Sequence, residues 1–149
     1  NRKVFIRYCE QVPKMFWRPI RTLVFSTVAK RYFRNQAKNS QQRIYPEDFE
    51  YTFQVNQKKD GYTFNFSSCA LQKHYEAEGV NELKKFCNFG DPVYSAMFGM
   101  GCNASHSFAT GYDNCILSFE KGRKTEQPDN IMRMIEVGEA FLQRHTLSN

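Results

Sequence analysis

The stretch FEYTFQVNQKKDGYTFNF, residues 49–66, contains two runs in which apolar and polar side chains alternate. A period of two is typical of β-strands that bury one face. Asp60 and Gly61 separate the runs and favour a tight turn, because aspartate and glycine tolerate positive φ. The sequence therefore predicts an antiparallel β-hairpin here. Its apolar positions are Phe49, Tyr51, Phe53 and Val55, then Tyr62, Phe64 and Phe66.

A second hairpin is predicted from residues 104–109 and 115–120, with Cys115, Leu117 and Phe119 on one face. Between the hairpins, cap and stop signals predict three short helices. They run from about residue 69 to 79 with Ser67 or Ser68 as the N-cap, from Asn81 onward, and from Asp91 to about Phe98. A last helix after Pro128 should bury Ile131, Met134, Ile135, Gly138, Phe141 and Leu142.

This order of elements predicts an α+β fold, a four-stranded antiparallel sheet of two hairpins with helices mainly on one face. With 149 residues, the chain is expected to form a single domain, 1–149. We divide it into a basic N-terminal helical segment, 1–43, and an α+β core, 44–149.

The N-terminal segment carries most of the positive charge. Residues 1–43 contain eleven Lys and Arg against one acid, whereas residues 44–149 contain ten against fourteen. Prolines 13 and 19 should divide the segment into a short helix and a longer one, because proline lacks a backbone N–H. The longer helix is expected to dock on the sheet through Ile20, Leu23, Val24 and Val28.

Such a basic amphipathic helix can instead contact an anionic membrane or nucleic acid, and this alternative stays open. No run approaches the roughly 20 apolar residues that a bilayer span needs, so no transmembrane segment is predicted.

The five cysteines are odd in number and irregularly spaced, which indicates reduced thiols and a cytoplasmic location. No Cys-x-x-Cys pair is present, so neither a structural zinc site nor another cofactor is predicted. Residues 69–119 hold four of the five cysteines and two of the three histidines. Cys69 should lie at a helix N-terminus, where the helix dipole favours the thiolate. The alternative is that these thiols are ordinary core residues.

Three sequence elements carry a resemblance to a known family. They are Cys69, the run FCNFGD from Phe86 to Asp91, and the run SFATGYDNCILSF from Ser107 to Phe119. Together they resemble the L-2-amino-thiazoline-4-carboxylic acid hydrolase family, best over residues 49–119. The positions that match the family pattern are Cys69, Cys87, Asp91, Gly111, Asp113 and Cys115.

The chain also departs from the family pattern. Tyr112 replaces the second glycine of a Gly-Gly pair, Ile116 replaces an aspartate, and no arginine lies near Ala104. If that arginine holds a substrate carboxylate, this protein uses another cation or has another substrate.

The resemblance implies a hydrolase that hydrates a C=N bond in a cyclic amidine or thiazoline carboxylate and then opens the ring. A thiolate or a carboxylate-activated water would attack the amidine carbon. The candidate nucleophiles are Cys69, Cys87 and Cys115; Asp91 and Asp113 would position water, and His106 would shuttle a proton. Substrate binding is assigned to Gly111, Tyr112 and His74.

Cys69, Cys87, Asp91, Asp113 and Cys115 are expected to converge at one end of the sheet. The alternative function is a non-enzymatic module that binds a small molecule or a metal in the same cysteine-lined pocket.

Overall fold

The computed structural model describes residues 14–133 and Glu136, with side chains from residue 18 onward. Its centre is an antiparallel sheet of four strands in the order β1-β2-β4-β3. The strands are β1 (Glu50–Val55), β2 (Gly61–Ser68), β3 (Cys102–His106) and β4 (Cys115–Glu120). Strands β1 and β2 form one hairpin, β3 and β4 form the other, and β2 pairs with β4 between them. The predicted four-stranded sheet of two hairpins is confirmed.

The first hairpin turns differently from the prediction. The positive φ is at Lys59, with a value of 59°, and Gly61 is already the first residue of β2. Asn56 holds the turn: its Oδ1 accepts the Gly61 N–H at 3.0 Å and its Nδ2 donates to Asp60 Oδ1 at 2.5 Å. Gly61 is needed for a different reason, because a Cβ there would contact the Phe119 carbonyl oxygen of β4. Close approach of two strands, and not turn conformation, requires this glycine.

From residue 14 on, where the description of the chain starts, two helices precede the sheet: α1 (Lys14–Val24) and α2 (Thr27–Ser40). The predicted break at Pro19 is wrong, because Pro19 lies inside α1. The chain instead breaks after Val24. Ser26 caps α2, and its Oγ accepts the Ala29 N–H at 3.2 Å. A cap satisfies N–H groups that would otherwise lack partners, whereas one proline removes a single hydrogen bond. Pro13 and the predicted first helix lie outside the described residues.

The predicted docking stripe is also wrong. Ile20, Leu23 and Val28 are 40%, 63% and 75% exposed. The break shifts the helical phase, so residues counted along one continuous helix no longer share a face. Of the predicted stripe, Val24 alone packs against the core cluster.

Aromatic rings join α2 to one face of the sheet. The Phe33 ring centroid lies 5.8, 5.6 and 5.4 Å from those of Phe53, Tyr62 and Phe64, distances typical of favourable ring contacts. On β4, Cys115, Leu117 and Phe119 are buried on this same face, as predicted. The opposite face carries polar residues such as Thr52, Asn65 and Ser118.

Short helices connect the hairpins: α3 (Ala70–Ala77), a 3-10 helix (Asn81–Phe86) and α4 (Gly90–Phe98). All three were predicted, but their caps differ. Ser67 and Ser68 still belong to β2, and the N-cap residues are Cys69, Val80 and Phe89. As predicted, α4 ends at a left-handed glycine, Gly99, with φ 64°.

A further helix begins at residue 129, and its Ile131 is fully buried. The other residues of that predicted stripe lie outside the described side chains. Within the described residues, no helix combines the length and the apolar character that a membrane span requires.

Candidate functional site

A cavity of about 470 Å³ lies between α2, the helix-covered face of the sheet, and the helices that follow β2. Its walls are mainly aromatic. Tyr32, Leu71 and Asp91 line it and are also exposed, so they mark its opening. The aromatic lining residues are Tyr32, Phe33, Phe49, Tyr51, Phe64, Phe66, Phe108 and Phe119. Cavities of this volume accommodate small organic ligands.

Four of the predicted site residues line this cavity: Cys69, Cys87, Asp91 and Cys115. Cys69 follows β2 directly and Cys115 begins β4; the pairing of Phe66 with Cys115 brings these strand ends together. Cys87 follows the 3-10 helix, and Asp91 lies in the first turn of α4. The predicted convergence holds for these four residues and fails for Asp113.

The Cys69 and Cys87 thiols form a hydrogen bond, and this contact is the main cause of a lowered pKa at Cys69, to about 6. The Cys69 side chain makes no geometric capping bond to α3, but the N–H groups of Gln72 and Leu71 lower its pKa further. The same Cys69–Cys87 contact, together with burial, raises the pKa of Cys87 well above its usual range. This contact therefore favours the thiolate form at Cys69 and the thiol form at Cys87.

Gln72 holds this pair from α3. Its Nε2 donates to Cys87 Sγ at 3.0 Å and to the Lys84 carbonyl oxygen at 2.8 Å. The prediction did not include Gln72, because a contact between α3 and the chain after the 3-10 helix has no signal in local spacing. Gln72 is not part of a capping box, since Cys69 makes no side-chain cap hydrogen bond.

Asp91 contributes the carboxyl group of the cavity. The residue reaches solvent at the opening, yet the protein around its carboxyl group raises its pKa by desolvation. Among the described residues Asp91 forms no ion pair, and the cavity lining contains no Lys or Arg. The cavity thus offers one carboxyl group without a cationic partner.

The third lining thiol, Cys115, differs from Cys69. Burial raises the pKa of Cys115 to about 12, and the nearby Asp91 adds to this effect. Burial likewise raises the pKa of Cys102, which is fully buried in the core cluster beside Phe119, to about 12. Among the cysteines that the structure describes, Cys69 is therefore the one whose pKa is lowered.

His106 does not line the cavity. It pairs with Ile116 across β3 and β4, on the side opposite to Cys115 and Leu117. Its Nε2 is 2.7 Å from Asn114 Oδ1, and its ring stacks on Tyr112 at 3.8 Å. An irregularity in the β3–β4 register precedes His106. The predicted proton shuttle therefore faces away from the cysteines.

The remaining predicted residues also lie outside the cavity lining. Asp113 and Tyr112 are exposed in the turn before β4. Gly111, with φ 92°, ends a 3-10 helix of residues 108–110 and shapes that turn. His74 is exposed on α3 beside Tyr75. The positions that match the family pattern therefore include two turn residues, Gly111 and Asp113, as well as the cavity residues.

Two polar cavity residues were not foreseen: Gln36 on α2 and Asn88 after the 3-10 helix. Asn88 is buried, and its amide exchanges hydrogen bonds with that of Asn130 at 3.0 and 3.3 Å. A lone asparagine between apolar residues carries no sequence signal for such a contact. Asn88 anchors the chain between Cys87 and Asp91 to the start of the helix that begins at residue 129.

In the part of the chain described, no group of three or more His, Cys, Asp or Glu side chains is arranged to hold a metal ion. Comparison with protein-family models, curated proteins and solved structures finds no match to this chain.

Proposed function

We propose that this protein is a thiol hydrolase that opens a small cyclic amidine by hydrolysing its C=N bond. The observation that carries the proposal is the hydrogen-bonded Cys69–Cys87 pair inside an aromatic cavity. A thiolate formed near neutral pH is a competent nucleophile, because the thiolate and not the thiol reacts. The resemblance to L-2-amino-thiazoline-4-carboxylic acid hydrolases supports the same reaction class.

In the first step, Cys69 Sγ would bond to the amidine carbon while the C=N electron pair moves to nitrogen. The Cys87 thiol, which donates to Cys69, is a nearby source for the proton that this nitrogen takes up. The ring heteroatom then leaves the carbon with a proton, which opens the ring and leaves the carbon bound to Cys69. Water attacks that carbon, releases the product and restores the thiol, so the net change is addition of one water.

Asp91 is suited to hold the substrate. Its carboxylate has no cationic partner among the described residues, and a protonated amidine would supply one through charge-assisted hydrogen bonds. The aromatic walls favour a flat or cationic ring through stacking and cation–π contacts. Because no described Lys or Arg lines the cavity, a cyclic amidine without a carboxylate is a better ligand than a thiazoline carboxylate.

A second candidate is a binding module for flat ligands without catalysis. This function is favoured by the position of His106 and Asp113 outside the cavity, because Asp91 is then the one general base among the described lining residues. The aromatic walls serve this function equally well.

We also propose a cytoplasmic location, because the four described cysteines are all free thiols. Weak contact of the 1–43 segment with an anionic membrane or nucleic acid remains part of the proposal. Its support is that Leu23 and Val28 are exposed on the same two helices as the exposed arginines Arg18, Arg31 and Arg34.

The test compares turnover of 2-amino-2-thiazoline and its 4-carboxylate, followed by mass spectrometry of the ring-opened product. The wild-type protein should prefer the first compound, Cys69→Ser should lose turnover, and Asp91→Asn should lose the preference. Asp113→Asn is the matched control, because Asp113 lies outside the cavity, and it should retain turnover. Saturable binding without turnover would favour the binding module, and turnover that survives Cys69→Ser would refute the nucleophile.

A further inference from the structure

The two hydrogen-bonded thiols come from different elements that are packed together. Cys69 precedes α3, and Cys87 ends the 3-10 helix 81–86. Two contacts join these elements: Gln72 Nε2 to the Lys84 carbonyl oxygen at 2.8 Å, and Lys84 Nζ to Glu76 Oε2 at 2.9 Å. The thiols therefore meet because the scaffold holds them together.

The thiols of Cys69 and Cys87 are also accessible from the cavity. Cys69 and Cys87 are partly exposed and line the cavity, whereas Cys102 is fully buried and Cys115 is largely so. A disulfide needs a sulfur–sulfur distance of about 2.05 Å. Both thiols line one cavity, and Gln72, three residues after Cys69, donates to Cys87 Sγ at 3.0 Å, so the two cysteines are held close to each other. These are the features of a dithiol that can be oxidised in place.

We propose that Cys69 and Cys87 are a redox-active dithiol that an organic hydroperoxide converts into an intramolecular disulfide. The Cys69 thiolate attacks the peroxide oxygen that bears hydrogen, the O–O bond breaks, and the alkoxide takes a proton and leaves as an alcohol. Cys69 is then a sulfenic acid. Cys87 Sγ attacks the Cys69 sulfur, its proton joins the departing hydroxide, and water and the disulfide form. Overall, two thiols and one hydroperoxide give one disulfide, one alcohol and one water.

The cavity indicates which oxidant is favoured. Eight aromatic residues line it, and the Cys69–Cys87 pair lies within it. An aryl or alkyl hydroperoxide can bury its apolar group against these rings, whereas hydrogen peroxide has no such group. This reactivity goes beyond the proposed hydrolysis and does not depend on it, because the same thiolate acts on oxygen instead of carbon.

The test uses the full chain with Cys9→Ser, since Cys9 lies outside the described residues and could form disulfides of its own. The reduced protein is treated with an equimolar amount of cumene hydroperoxide, and the product is digested with trypsin and chymotrypsin. These enzymes cut between Cys87 and Cys102, for example after Phe89. Mass spectrometry should show the loss of two hydrogen atoms and a Cys69 fragment linked to a Cys87 fragment, reversed by dithiothreitol.

Two variants and a second oxidant give the controls. In Cys87→Ser, the linked fragments should be lost and dimedone should trap a sulfenic acid at Cys69. Cys115→Ser removes the other lining thiol and should form the disulfide in the same yield. Equimolar hydrogen peroxide should react at least several-fold more slowly than cumene hydroperoxide.

A disulfide that includes Cys115, or exclusively intermolecular products, would overturn the proposal. If Cys87→Ser does not fold, as judged by circular dichroism, a second measurement on the wild-type protein still tests the proposal. One equivalent of phenylarsine oxide, a reagent for paired thiols, should then block the oxidation, and a failure to block it would also overturn the proposal. None of these measurements uses hydrolytic turnover, so the two proposals can fail separately.

Discussion

The reactivity of Cys69 should depend on Cys87. The largest cause of the lowered Cys69 pKa is the hydrogen bond from Cys87, while burial acts in the opposite direction. The substitution Cys87→Ala removes the hydrogen bond and leaves the burial. We therefore expect the Cys69 pKa to rise from about 6 towards 9.0, the ordinary value of a cysteine thiol.

The size of this change decides which quantity to measure. At pH 7, a pKa of about 6 leaves about 90% thiolate, whereas a pKa of 9.0 leaves about 1%. The thiolate of lower pKa is intrinsically less nucleophilic, by roughly 15- to 30-fold over three pKa units. The two effects nearly offset each other, so rates at pH 7 would differ by only about 3- to 6-fold. The midpoint of the pH profile is the sharper measurement.

The assay follows alkylation by iodoacetamide from pH 5 to pH 9.5. The tryptic peptide Asp60–Lys73 contains Cys69 and no other cysteine, so its mass reports this thiol alone. The wild-type midpoint should lie near pH 6, and that of Cys87→Ala should move towards pH 9. Cys115→Ala is the control, because Cys115 lines the same cavity but is not among the causes of the Cys69 shift. A wild-type midpoint near pH 9, or an unchanged midpoint in Cys87→Ala, would refute the assignment of Cys69 as the thiolate.

Three further predictions concern stability. Burial raises the pKa of Cys102 to about 12, so the folded state keeps a proton that the unfolded chain releases above about pH 9. The free energy of unfolding should therefore fall between pH 9 and pH 12. This fall should be less steep in Cys102→Ala. Phe33→Ala should lower the free energy of unfolding in urea by about 3 kcal/mol because it removes the ring that joins α2 to the sheet. Val28→Ala, at a residue 75% exposed, should change it by less than about 0.5 kcal/mol, and equal effects would contradict the packing described. Gly61→Ala should lower the free energy of unfolding by about 1–3 kcal/mol, because its Cβ would contact the Phe119 carbonyl oxygen. Gly90→Ala should be tolerated, because the nearest atom to its new Cβ belongs to Tyr94 at 3.9 Å. Thermal unfolding of the two variants measures the difference.

Local sequence signals predicted the sheet well. The alternation in residues 49–66 depends on the two-residue period of a strand, and that period is a property of the backbone. The left-handed glycine at Gly99 likewise reflects a local conformational preference. These features depend only on neighbouring residues in the sequence, so they could be predicted without the structure.

The N-terminal segment shows where local reading fails. Helical periodicity predicted a single stripe from Ile20 to Val28, but the cap at Ser26 changed the phase and left most of that stripe exposed. Proline was given too much weight, and a serine N-cap too little. Which side of a helix is buried depends on the surface against which it packs.

The sequence by itself determined the α+β class, the two hairpins and the presence of cysteines near β2 and β4. Only the tertiary structure decided that Cys69 meets Cys87, that Asp91 and Cys115 share their cavity, and that His106 and Asp113 do not. The physical reason is that a pKa and a cavity are set by groups within a few ångströms in space. Cys69 and Cys87 are separated along the chain by the whole of α3 and the 3-10 helix. Their contact arises from the packing of those two elements, and no spacing rule within either element contains it.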